Sequence, residues 1–281
     1  MQKPPFQLST RQEVQVTLLY YFASLDYLKG LQQRLHALAA PGTSNKWCGN
    51  GWQFLADFEL SVASDIVKRA YQTYSITGAY QCGRGMAEMS LGLAPEEQSE
   101  FDRRFEELSA YAGNIDDTMN QTQQAGRWDD FSLARECQKF PEALAQAPAL
   151  QLRADITGGT GMVPARTGVY LPIDDPHGTP QFCWIGKPAG PLLECSTFND
   201  LGLDAWAAVG PIDLWVNDDS MHAFVQDHLN DPRLTRDPFF AYSATKAELA
   251  PSLVARNAFT SRPCDWIFVE QIQGELCGIQ P

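Results

Sequence analysis

Histidine is scarce: 281 residues hold only His36, His177, His222 and His228. No HExxH or comparable ligand spacing exists, and His222 and His228, six apart, share a helix face poorly. No metal or other cofactor is expected. A nucleophile elbow of the GxSxG type is absent. The glycine-rich run Gly158-Gly-Thr-Gly161 lacks the lysine of a phosphate loop and is followed by strand-like residues. It reads as an interdomain linker. Seven cysteines, Cys48, Cys82, Cys137, Cys183, Cys195, Cys264 and Cys277, are odd in number and scattered, with no CxxC. That pattern predicts reduced thiols, with Cys183, between Phe182 and Trp184, a core filler. No run of about 18 apolar residues exists, so no membrane span is expected. The opening MQKPPFQLSTRQE has no apolar signal core, which predicts a cytoplasmic protein.

Basic residues are outnumbered. There are 21 Lys and Arg against 34 Asp and Glu, a net charge of −13, and the half from Ala149 onward is the more acidic. A phosphate backbone is repelled by such a surface, so no nucleic-acid partner is expected. A basic protein partner is attracted, although net negative charge also serves solubility alone.

The chain is long enough for one large or two ordinary domains, and its grammar changes midway. Up to about Ala147 it is helical. Val14, Leu18, Phe22, Leu25, Leu28, Leu31, Leu35 and Leu38 form one stripe; Leu55, Phe58, Val62, Ile66, Ala70 and Tyr74 form another. A third stripe, Phe101, Phe105, Leu108, Ala112, Ile115 and Met119, follows Pro95 and an acidic first turn. Short turns between such helices predict a bundle over residues 1–150. Residues 151–281 read as a smaller α+β domain with an antiparallel sheet and helices, the division falling near residues 148–165. Val169 to Ile173 and Gln181 to Ile185 flank a turn and predict a hairpin. Asn199 caps a helix through Val209, Asp213 to Val216 reads as a strand, and Asp218 or Asp219 opens a helix through Leu229. A helix over about Thr245 to Ala255 and a last strand from Asp265 to Glu270 complete the pattern.

Paired carboxylates stand at Asp116-Asp117, Asp129-Asp130, Asp174-Asp175 and Asp218-Asp219. Adjacent residues on a helix point about 100° apart, so a sequence pair is not a catalytic pair. Asp129 and Asp218 suit helix caps, and Asp174-Asp175 before Pro176 suits a turn. Exposed on turns, these acids are also candidates for partner contact. Of seven tryptophans, Trp184, Trp206, Trp215 and Trp266 lie in apolar runs and are expected in the core. Trp47, Trp52 and Trp128 lie in or beside turns, where an aromatic either fills space under a loop or anchors an interface.

Four stretches carry a resemblance: Arg166-Thr-Gly-Val-Tyr-Leu-Pro-Ile-Asp-Asp-Pro, Gln181-Phe-Cys-Trp-Ile-Gly186, Thr197-Phe-Asn-Asp-Leu-Gly202 and Asp213-Leu-Trp-Val216. Together they resemble immunity proteins of bacterial polymorphic toxins, the antidotes paired with Rhs-type and type VI secretion effectors. The resemblance covers about fifty residues, under a fifth of the chain. It implies a protein that neutralises a toxin by obstructing its active site, and it transfers no catalytic residues. The expected function is therefore an immunity protein, not an enzyme, that binds a cognate, basic toxin domain. Asp174, Asp175, Asp218, Asp219, Trp47, Trp52 and Trp128 are its candidate contacts. The alternatives are a small hydrolase or transferase using Cys or Asp residues of the C-terminal domain, with Cys183 or Cys195 beside His177 the conceivable nucleophile and base, and a scaffold that docks another protein through its helical half.

Overall fold

The computed structural model describes residues 148–186, 189–211, 213–238, 240 and 251–276, with isolated helical positions between 60 and 106. Apart from those positions, the helical bundle expected over residues 1–150 lies outside the described residues, as do Trp47, Trp52 and Trp128. The described part mixes α and β, with antiparallel sheets, as its sequence predicts.

From Pro148 onward the elements that can be bounded among the described residues are, in order, β1 (Pro148–Gly159), β2 (Gly168–Pro172), β3 (Gln181–Cys183), β4 (Cys195–Phe198), α1 (Asp200–Val209), α2 (Asp218–Asp227), α3 (Pro232–Thr235), α4 (Ser252–Asn257), β5 (Phe259–Arg262) and β6 (Asp265–Leu276). Strands β1-β6-β2-β3 form one antiparallel sheet, and β4-β5 form a separate ribbon. The hairpin of β2 and β3 is the expected one.

Strand β1 corrects the linker reading. Residues 148–159 pair with β6, more than a hundred residues further on, and Gly158 and Gly159 belong to the strand. Gly158 leaves room for the core: a Cβ there would stand 2.7 Å from Leu192 Cδ1, and that buried side chain would have to shift. The register slips between Arg153 and Thr157, where a bulge turns Ile156 into the core.

Side chains alternate along the strands, and the two sheet faces are lined differently. Tyr170, Cys183, Trp266 and Phe268 point to one face and pack with Ile156, Leu192 and Cys195. Val169, Leu171, Phe182 and Val269 point to the other and are also buried. Leu193 is tied down over the first face. Its carbonyl accepts from Trp266 Nε1 at 3.0 Å and Thr160 Oγ1 at 3.2 Å, and its N–H donates to Gln181 Oε1 at 3.1 Å. The buried amide and indole are thereby satisfied.

A second core gathers α1, α2, α4 and the loops between them around Leu201, Leu214, Trp215, Met221, Val225 and Val254. Asn199 caps α1 as expected, its Oδ1 accepting from the N–H groups of Leu201 and Gly202. The same side chain donates through Nδ2 to the carbonyls of Asn257, at 2.8 Å, and Phe259, at 3.3 Å. Gly202 lets the helix approach, since a Cβ there would lie 2.4 Å from the Ala258 carbonyl oxygen. For α2 the cap is Asn217, one residue before the expected Asp218.

Asp213 to Val216, expected as a strand, is a tight turn. Leu214 N donates to Gly210 O, and Val216 N and Asn217 N both reach Asp213 O. Trp215 takes φ 69°, a left-handed backbone that bulky residues avoid, while its indole is wholly buried. Burial of Leu214 and Trp215 in the helical core outweighs their strand preference. Of the four expected core tryptophans, Trp184, Trp215 and Trp266 are fully buried and Trp206 is partly so.

Replacing Asn199 with Ala removes a cap and two tertiary donors at once. We expect a loss of about 2–3 kcal/mol by urea unfolding, with Asn199→Asp, which keeps only the cap, falling between. A loss under about 0.5 kcal/mol contradicts this role.

Candidate functional site

The turn from Asp174 to Gly178 separates its two aspartates. Asp175 points inward. Its Oδ1 accepts from His177 N at 3.0 Å, and Gly178 N returns to Asp175 O, the side-chain turn that Asp before Pro favours. Its Oδ2 accepts from Arg262 Nε at 3.1 Å and Nη2 at 2.7 Å, and its side chain is only 7% exposed. Burial pushes the Asp175 carboxyl up, but hydrogen bonds from Arg262, Thr197 and His177 outweigh it and hold the group below the ordinary value. Thr179 N donates to Ser196 O at 2.9 Å, so the turn is clamped onto the β4-β5 ribbon. Asp174 stands exposed on the outside of the same turn.

Asp218 and Asp219 occupy the first turn of α2, exposed, at the positive end of the helix. They sit on a different element from the Asp174 turn. Of the four aspartates, Asp174, Asp218 and Asp219 keep the exposure that partner contact requires, and Asp175 holds the fold together.

The cysteine and histidine candidates are packed among apolar groups. Cys183 is fully buried, its thiol donates to Gln181 Oε1 at 3.2 Å, and burial pushes its pKa up. Cys195, also fully buried, is pushed up to about 12, chiefly by burial. Cys264, partly buried, is raised by burial, while Cys195 and Arg262 pull it back. All three are protonated at neutral pH. The His177 ring packs against Phe198 at 5.4 Å and edge-on to Trp206 at 5.1 Å. Among the described residues no group of three or more His, Cys, Asp or Glu could hold a metal ion. No described helix is long and apolar enough to cross a membrane.

Sequence reasoning missed a surface at one end of the sheet. Met162, Val163 and Ile173 are about half exposed, at 56%, 57% and 46%, and Asp265 is exposed beside them. Their signal is faint: Met162 and Val163 follow a glycine run that reads as a linker, and Ile173 and Asp265 fall at the ends of the expected strands.

Comparison with known proteins finds no matching family model, no matching curated protein and no matching solved structure.

Two outcomes are expected from this geometry. Because the Asp175 carboxyl is lowered in the fold, its contribution is complete above the unfolded value near 4 and fades as pH falls through the folded value. Asp175→Asn should lower the melting temperature by a few degrees at pH 7, and the gap to the wild type should close below about pH 4. A gap that does not change with pH refutes the ion-pair role. Residue-resolved alkylation of the native protein should label Cys264 well before Cys183 and Cys195. Equal rates at all three contradict the burial described.

Proposed function

We propose that the chain is an immunity protein that binds a cognate bacterial toxin effector in the cytoplasm and neutralises it by covering its active site. The observation that carries the reading is the distribution of charge. Arg153, Arg166, Arg233, Arg256 and Arg262 each bond a carboxylate of the same chain. Much of the positive charge in the described part is thus neutralised internally. The described part also carries exposed carboxylates, Asp174, Asp218, Asp219 and Asp265 among them, in a chain whose net charge is −13. Such a surface favours a basic partner and hastens their encounter. The resemblance of the segments around Arg166, Gln181, Thr197 and Asp213 to immunity proteins supplies the kind of partner.

Toxins of this class are encoded beside their antidotes. Expressing the toxin domain from the neighbouring gene should arrest a bacterial host, and co-expressing this chain should restore growth. The purified pair should form a complex whose association slows as salt rises. Growth arrest without rescue, together with no complex between the purified proteins, rejects the proposal.

A further inference from the structure

Three strands end together at Asp265. On one side, Ile173 N donates to the Asp265 carbonyl at 2.9 Å, continuing the β2-β6 ladder. On the other, Gly159 of β1 pairs with Asp265. Pro172 and Gly158 both pair with Trp266, which points to the inner face. The next position on each strand, Ile173, Asp265 and Gly159, therefore points the opposite way. Gly159 has no side chain, and Met162 folds back into its place. The Met162 sulfur accepts from Gly159 N at 3.2 Å, and Leu192 N donates to the Met162 carbonyl at 2.9 Å. The result is a row: a thioether, a carboxylate, a branched aliphatic side chain. Val163 extends it on the methionine side, and Asp174 lies next to Ile173.

Among the described residues no arginine or lysine pairs with Asp265. A carboxylate between two exposed apolar side chains complements a group with an aliphatic stem and a cationic head. Interface anchors are commonly of this kind, an arginine set among apolar contacts that exclude water. We infer that the sheet end formed by Met162, Val163, Ile173 and Asp265, with Asp174 beside it, is a docking surface for a protein segment that presents an arginine or lysine flanked by apolar side chains. In naming the toxin as the bearer of that segment, the inference rests on the function proposed above.

Two probes test it on the full chain. The first is a short fluorescent peptide of alternating leucine and arginine, with a leucine–glutamate twin. The basic peptide should bind and the acidic one should not. Asp265→Lys, Met162→Glu and Ile173→Glu should each weaken binding about tenfold. Asp227→Lys, which makes the same charge change at an exposed position of α2, should leave it within about twofold. The surface is refuted if the basic peptide does not bind, if the acidic peptide binds as well, or if Asp227→Lys weakens binding as much as Asp265→Lys. Melting curves confirm that each variant is folded; Asp265→Asn and Met162→Ser replace any that is not.

The second probe is the neighbouring toxin domain, inactivated by mutation. If it binds the wild type and all three surface variants equally, the surface falls and the immunity reading stands. Should it fail to bind the wild type while the peptide results hold, the immunity reading falls and the surface stands.

Discussion

One side chain decides how the helical layer meets the β4-β5 ribbon. Asn199 lies between β4 and α1, and its amide is used at both ends: the oxygen holds the first turn of α1, and the nitrogen holds the carbonyls that end α4 and open β5. Its backbone N–H also reaches Ala258 O at 2.9 Å. Helix start, helix end and strand start are thereby fixed at one point. Only glycine at 202 permits the approach. The placement of Leu201, Ala205 and Val254 in a common core follows from that point.

From Asn199 the constraint passes outward through the ribbon. Arg262, at the end of β5, grips Asp175, and Thr179 grips Ser196. The β2-β3 connection is thus pinned to the ribbon, and the ribbon to α1. Thr160 closes the other corner: its hydroxyl accepts from Cys264 N at 3.0 Å and reaches the carbonyls of Leu193 and Cys264, each at 3.2 Å. The sheet end that carries Met162, Ile173 and Asp265 is therefore held by backbone contacts on both sides. Preformed surfaces of this kind lose less ordering entropy when a partner arrives.

The elements legible in the sequence were those whose signals are local. The cap at Asn199 and the turn between β2 and β3 each declare themselves within a dozen residues. Strand β1 did not, because its hydrogen-bonding partner is remote and its glycines mimic a linker. The short strands β4 and β5 also escaped, since four residues carry little periodicity. Asp213 to Val216 misled in the opposite direction: strand-forming residues serve a turn because the turn buries them better. At the candidate site, Asp174 and Asp175 look alike in sequence. An arginine 87 residues away makes one structural and leaves the other on the surface. No pattern around position 174 could reveal that.

Strand β1 stands at the border of its sheet, with β6 on one side only among the described strands. A twelve-residue border strand is ordinarily a template onto which another chain can zip. Here the slip between Arg153 and Thr157 breaks the repeat midway. Arg153 and Asp155 lock around the slip, with Nε–Oδ1 at 2.9 Å and Nη2–Oδ2 at 2.8 Å. A second strand laid along β1 would lose register at that step and meet two charged side chains. The irregularity makes β1 a poorer template for edge-to-edge pairing than a regular strand of the same length.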